Sequence, residues 1–340
     1  MDIKAAIRHL AQGQDIAAAQ MTELMREIMS GQCTDAQVAA FLVALQIKGV
    51  AASELLGAVT VMRELVTRVE VKDKLHLVDT CGTGGTGTNT FNISTASAMV
   101  AACAGARVAK HGNRGATSRS GSADLLEAAG VKLALDPGAV AQCIAEVGVG
   151  FMFAPGHHSA MRHVSAARKE IGIGTIFNLL GPLTNPASAP NQLLGVYDSG
   201  WIDIILDVLH SLGSEHVLIV SADDGMDEIS IASDTRVGEL RDGSITHYVI
   251  RPEDFGIRRR DDFTMLQVAD PAESLVLVRG ALTYENEAAG DIVALNAGAA
   301  MYAANVVSDI GSGVARAQQI LRSGDALRKL EQLALFTHGL

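Results

Sequence analysis

A chain of 340 residues that is 48% hydrophobic and 19% charged, with 34 glycines and seven prolines, can build one large or two ordinary domains around a substantial core. Its formal charge of −11 excludes a broadly cationic surface, so neither nucleic acid nor membrane is an expected partner, and any anionic ligand must be met by a local cluster of positive charge. The four cysteines (Cys33, Cys81, Cys103 and Cys143) show no C-x-x-C spacing and no paired histidines, which argues against a zinc site or a disulfide framework. No run approaches the ~18 apolar residues of a membrane span, and the charged stretch "MDIKAAIRHLAQGQD" lacks a signal-peptide core. The cytoplasm is the expected compartment.

Residues 1–70 read as helical throughout. "DAQVAAFLVALQIKG" repeats apolar residues at helical spacing behind a capping box of Thr34 and Gln37, and "ELLGAVTVMRELV" continues the pattern. The character changes at Leu75, where "LHLVDTC" predicts a strand that runs into a glycine loop. Further strands are predicted at 106–109, 131–135, 150–153, 192–197, 215–221 and 245–250, with helical patterns between most of them. The alternation predicts an α/β fold. Residues 155–190 show helix and loop without strand character and are expected to pack back on the first helices. The expected domains are therefore a discontinuous helical unit of 1–70 plus about 160–190, and an α/β unit of 75–155 plus about 192–340. "GIRRRDDF" reads as a solvated, charged loop.

The loop "CGTGGTGTNTFNIST" (81–95) contains G-x-G-x-x-G, the dinucleotide fingerprint. That reading needs an acidic residue about 20 positions on. From Thr80 to Ala123 there is no Asp or Glu, and the P-loop Lys-Ser/Thr is missing too. The same 44 residues carry Arg107, Lys110, Arg114, Arg119 and His111, which points to a strongly anionic ligand. A backbone cradle remains. Glycines allow positive φ and close approach, amides and a helix N-terminus bind phosphate oxygens, and Thr90, Asn92, Ser94 and Thr95 add donors. "KHGNRGATSRSGSAD" (110–124) supplies a second wall through Lys110, Asn113, Ser118 and Ser122. In "SADDGMDEIS", after the strand pattern "HVLIVS", the carboxylates Asp223, Asp224, Asp227 and Glu228 repel one another unless solvated or bound to a hard cation. Beside a polyphosphate pocket they suggest Mg²⁺.

Together "GTGG-x-G-x-x-TFNIST", "KHGNR", "SGSADLLE", "FAP-x-HH-x-AMRHV", "FNLLGPLTNP" and "DGMDE" resemble the anthranilate phosphoribosyltransferases over roughly residues 20–330. The resemblance implies a homodimer with a small all-helical domain and a larger α/β domain with a mostly parallel central sheet. It also implies the tryptophan-pathway transfer of 5-phosphoribosyl from phosphoribosyl pyrophosphate to the anthranilate amine, with Mg²⁺ and release of pyrophosphate. It assigns Gly82, Gly85, Thr86, Thr90, Asn92, Ser94, Thr95, Lys110, Ser118 and Ser122 to phosphoribosyl pyrophosphate. Gly82, Asn113, Arg168, His157 and His158 fall to anthranilate, and Ser94, Asp227 and Glu228 to the metal. No covalent nucleophile or strong base is required, since displacement passes through an oxocarbenium-like cation and the aromatic amine is already nucleophilic. Two positions depart from the pattern: Thr86 stands where the family usually has Asp, and Gly174 where it often has Arg.

Overall fold

The computed structural model describes residues 1–85, 87–115 and 118–340. The chain opens with α1 (Ile3–Ala11), α2 (Ala18–Met29), α3 (Asp35–Lys48) and α4 (Ala52–Leu65). Thr34 closes the expected capping box: its Oγ1 accepts from Gln37 N at 3.3 Å while Thr34 N donates to Gln37 Oε1 at 2.9 Å. The turns are tied by buried Glu54, which accepts from Ile16 N at 3.0 Å and Ala51 N at 2.8 Å and pairs with Lys48 at 3.0 Å.

Strands and helices then alternate as β1 (Leu77–Gly82), α5 (Ile93–Cys103), β2 (Arg107–Gly112), α6 (Ser122–Ala128), α7 (Pro137–Gln142) and β3 (Val149–Phe153). Next come α8 (Ala154–His157), α9 (Ser165–Ile171) and α10 (Ile176–Leu183), then β4 (Asn191–Gly195), α11 (Ile202–Ser211) and β5 (His216–Ala222). The hairpin β6 (Thr235–Arg241) and β7 (Ser244–Ile250) precedes α12 (Pro271–Leu282), α13 (Glu287–Ala303), α14 (Ile310–Ser323) and α15 (Asp325–His338). The seven-stranded sheet has the order β3-β2-β1-β4-β5-β6-β7. Its first five members run parallel and β6 and β7 antiparallel. The chain moves outward from β1 to β3 and returns to β4 on the other side of β1. The switch point of the sheet therefore lies between β1 and β4, where such sheets open a crevice at the strands' C-terminal ends.

Alternate residues of the central strands enter different cores, as a sheet covered on both faces requires. Leu193, Leu218 and Val220 join the cluster around α5 and α13, while Leu194, Val217 and Ile219 join the cluster of the N-terminal helices. Val164, Ala167, Ile176, Phe177 and Leu180 from the 160–190 region belong to this second cluster.

Three expectations change. Residues 131–135 form no strand; Val131 is buried while Lys132 and Ala134 face solvent, and Lys132 N donates to Thr337 Oγ1 on α15 at 3.1 Å. Alternation there serves packing on a helix rather than a ladder. The strand β6 is not among those expected, although Asp242-Gly243 with φ of 50° and 75° is a two-residue hairpin signal. The run at 256–263 is not merely solvated: Arg259 pairs with Asp234 at 2.5 Å and Glu253 at 2.8 Å, and Arg260 with Asp291 at 3.1 Å. Among the described residues no helix is long and apolar enough to cross a membrane.

Candidate active site

β1 and β4 end side by side at the switch point, with Gly82 opposite Gly195. Asp227, on the loop after β5, lies across both. A Cβ on Gly82 would overlap the Asp227 carboxylate, and one on Gly195 would overlap its backbone. Glycine at these two places is therefore a condition for the carboxylate to reach the crevice. Asp227 Oδ2 accepts a hydrogen bond from Gly84 N at 2.8 Å, folding the glycine loop over it. Gly84, Gly85 and Gly87 hold φ of 63°, 80° and 70°, a region that side chains disfavour.

The resulting cavity of about 340 Å³ is lined by Gly82, Gly85, Thr90, Asn92 and Ser94, by Lys110, Asn113, Ser118 and Ser122, and by Asp227 and Glu228. Three distant segments thus share one space. Thr95 does not line it; its side chain is buried and its Oγ1 has no partner among the described residues. Thr86 lies outside the described residues.

The positive charge is less concentrated than the count along the chain suggests. Lys110 lies at the cavity floor, donating from Nζ to Thr80 O at 2.5 Å and to Ser94 Oγ at 3.2 Å. Burial pulls its pKa down, against the charges of Asp79, Cys81 and Glu228. Arg107, three residues back along β2, is not in the cavity and pairs with Asp73 at 2.7 Å. Arg114 lines the cavity but pairs with Asp124 at 2.9 Å and Glu127 at 2.8 Å. Arg119 is exposed and does not line it.

Burial raises the pKa of Asp227, and burial together with the neighbouring Asp227 charge lifts Glu228 well above the ordinary carboxylate range. Glu228 Oε2 is buried without a hydrogen-bond partner. An orphaned oxygen beside a second carboxylate is a site that a divalent cation would satisfy. Among the described residues no set of three or more His, Cys, Asp or Glu could hold a metal unaided. A cation here would draw its remaining ligands from Ser94, water or the oxygens of a bound phosphate.

A second cavity of about 460 Å³ has apolar walls from Met62, Ala154, Pro155, Met161, Phe177 and Leu180 and two cations, Arg162 and Arg168. It shares His111 and Asn113 with the first cavity. The Arg168 guanidinium lies 5.1 Å from the Phe177 ring centroid, burial lowers its pKa, and no carboxylate among the described residues pairs with it. His111 Nδ1 faces Gly181 O at 3.1 Å and must carry the proton, because a carbonyl only accepts. Its Nε2 is then an acceptor for His158 Nε2–H at 3.2 Å. Both histidines stay neutral: burial, then the other histidines, pushes His111 down to about 3 and His158 to about 4. His157 lines neither cavity. Its Nδ1 donates to Thr67 O at 2.8 Å and its carbonyl accepts from Thr67 N at 2.9 Å, so it clamps the chain leaving α4.

Residues 74–327 match the model of the glycosyl transferase family, a/b domain, and residues 4–66 that of the glycosyl transferase family, helical bundle domain. An anthranilate phosphoribosyltransferase of Thioalkalivibrio sulfidiphilus is 54% identical over 337 residues, covering 99% of this chain and 99% of that protein. The chain belongs to the anthranilate phosphoribosyltransferase family. Among solved structures of such phosphoribosyltransferases, that from Thermus thermophilus superposes with a TM-score of 0.91 at 40% identity, covering 98% of this chain and 99% of that one. The Saccharomyces cerevisiae anthranilate phosphoribosyltransferase in complex with PRPP (phosphoribosyl pyrophosphate) and Mg superposes with a TM-score of 0.89 at 26% identity, covering 99% of this chain and 98% of that one.

Reading the chain missed several residues of this phosphoribosyltransferase's cavities. His111 counted only as a charge, although it forms the boundary between the compartments. Phe177 and Asn178 lay within "FNLLGPLTNP" without a role; Phe177 stacks on Arg168, and Asn178 lines the first cavity while its Oδ1 caps Thr175 N at 3.1 Å. Gly174 is exposed, a Cβ there would meet nothing within 4 Å, and nothing in the structure explains the glycine.

Proposed function

We propose that phosphoribosyl pyrophosphate occupies the first cavity and anthranilate the second, so that the amine reaches the ribose carbon at the boundary formed by Asn113 and His111. The observation that carries this reading is the shared wall of the two cavities. The reaction is transfer of the 5-phosphoribosyl group to the anthranilate nitrogen: a carbon–nitrogen bond forms, the carbon–oxygen bond breaks with its electron pair leaving on pyrophosphate, and the amine's proton passes to the departing pyrophosphate or to water. The glycine-loop amides, Ser118, Ser122 and Lys110 would take up charge on the phosphates. Arg168, without a carboxylate of its own, would bind the anthranilate carboxylate, while the apolar walls receive the ring. His158 reaches this cavity and His157 does not.

The residues fit magnesium. Asp227, Glu228 and Ser94 would hold it, and the unpartnered Glu228 Oε2 supports that role. Bound there, the ion would offset negative charge on the departing pyrophosphate. The two carboxylates alone leave its coordination incomplete, which favours a cation arriving with its phosphate ligand.

The helical unit is read as 1–70 with 160–190, supported by the common core of these segments, and the α/β unit as 75–155 with 192–340. A homodimer through the helical unit is supported by Ile47, 81% exposed on α3. A cytoplasmic enzyme without nucleic-acid partners is supported by four free cysteines and the charge of −11.

Arg168→Ala tests the assignment of the cavities. The KM for anthranilate should rise at least about tenfold, the cost of one charge-assisted contact of about 1.5–3 kcal/mol, with little change in the KM for phosphoribosyl pyrophosphate. Equal losses for both substrates would refute it.

A further inference from the structure

Asn92, at the start of α5, is held by two serines from different parts of the chain. Ser274, buried in the first turns of α12, donates its hydroxyl to Asn92 Oδ1 at 2.7 Å and accepts from Asn92 N at 3.1 Å. Ser120, on the second wall of the first cavity, donates to the same Oδ1 at 2.7 Å, while Asn92 Nδ2 donates to Ser120 O at 3.1 Å. Each serine closes a ring with Asn92. Both acceptor positions of the amide oxygen are filled. Among the described residues one N–H of Nδ2 has no partner, and Asn92 lines the first cavity.

The same region of the chain holds the glycine loop a second way. Phe91 N donates to Leu266 O at 2.9 Å, Val268 N to Asn89 O at 2.9 Å, and Gln267 Nε2 to Thr88 O at 3.0 Å. Thr90 and Gln267 form an antiparallel bridge. Residues 266–274 therefore strap the loop to α12.

We propose that Ser274 and Ser120 are positioning residues for the phosphoribosyl donor, acting through Asn92, which they lock with a single N–H turned to the ligand and which joins the two walls of the cavity. An amide with a filled oxygen can offer only donation, which suits phosphate or ribose oxygens. Fixing its rotamer before binding removes an ordering cost from the donor and none from the amine. The proposal rests on phosphoribosyl pyrophosphate occupying the first cavity.

Steady-state kinetics of Ser274→Ala, Ser120→Ala, Asn92→Ala and the Asn92→Ala/Ser274→Ala double variant test it, with thermal melting as a control for folding. Each serine variant should raise the KM for phosphoribosyl pyrophosphate about tenfold and leave the KM for anthranilate unchanged. In its KM for phosphoribosyl pyrophosphate the double variant should be no worse than Asn92→Ala, because Ser274 acts on the donor through the Asn92 side chain. The bond it also accepts from Asn92 N survives Asn92→Ala, and its loss should register in the melting temperature alone. A merely structural role would lower the melting temperature and the active fraction without moving either KM, and would overturn the proposal. So would equal rises in both KM values, or additive effects on the donor KM in the double variant. If Asn92→Ala alone raises the donor KM, the clamp is wrong and the cavity assignment survives. If none of the variants does, the cavity assignment falls as well.

Discussion

Nε2 of His158 lies 3.2 Å from Nε2 of His111, and the second ring is committed through Nδ1 to Gly181 O. The contact needs His111 neutral, and burial supplies that condition, with folded values of about 3 for His111 and about 4 for His158 against an ordinary 6.5. The unfolded chain takes up both protons as pH falls below about 6.5 and the native state does not. The stability these rings contribute is therefore complete above pH 6.5 and is lost progressively as pH drops towards 4 and then 3. His158→Gln keeps a donor for His111 and removes one of these titrations. Urea unfolding at pH 7 and pH 5 should show a loss smaller by about 2 kcal/mol in the variant than in the parent.

Gly82→Ala drives a methyl group into the Asp227 carboxylate. Asp227 must move, and its bond from Gly84 N with it. Overpacking of this kind costs about 1–3 kcal/mol. The expected result is a loss of at least about tenfold in kcat/KM for phosphoribosyl pyrophosphate, with the far-ultraviolet circular dichroism unchanged. Wild-type kinetics in the variant would show that Asp227 has no part in the site.

Glu54→Ala removes the shared partner of Ile16 N, Ala51 N and Lys48 from the interior of the helical bundle. Glu54 is fully buried, so two amides lose their acceptor together and Lys48 is left with Asp15 at 2.5 Å. A destabilisation of about 3 kcal/mol is expected, with turnover per folded molecule unchanged at low temperature. Chemical denaturation and active-site titration check the two halves separately.

Thr86 follows "GTGG" directly, at the position where the motif resemblance leads to an expected Asp. Thr86→Asp adds a negative charge to the glycine loop and should alter the magnesium dependence of the rate. Superimposable Mg²⁺ titrations of the two proteins would rule this out.

Much of the site was legible because its chemistry is written locally. A glycine loop, a small-residue cationic loop and an acidic turn each follow a strand pattern, and parallel strands bring such loops to one edge of a sheet. The capping box at Thr34 is local in the same sense. Charge counting along the chain was less sound, because it ignores direction. Arg107 and Lys110 are three residues apart on one strand, which at about 3.3 Å per residue separates them by about 10 Å. One pairs with Asp73 and the other lies in the cavity.

What folding alone decided are contacts between residues whose separation along the chain carries no periodic signal. Gly82 reads as part of the glycine loop and Gly195 as a residue of the expected strand 192–197, and neither position shows along the chain that Asp227 packs against it. "HH" at 157–158 gives no sign that one ring faces the cavity and its neighbour clamps Thr67; the two rings part because α8 ends at His157 and His158, just past it, leaves helical geometry at φ −116° and ψ 59°. Ser274 stands in "PAESL", an ordinary helix start, and acquires its meaning from Asn92, 182 positions away. Hydrogen bonds act over about 3 Å of space, whereas sequence patterns report only the few neighbours that a helix or strand brings together.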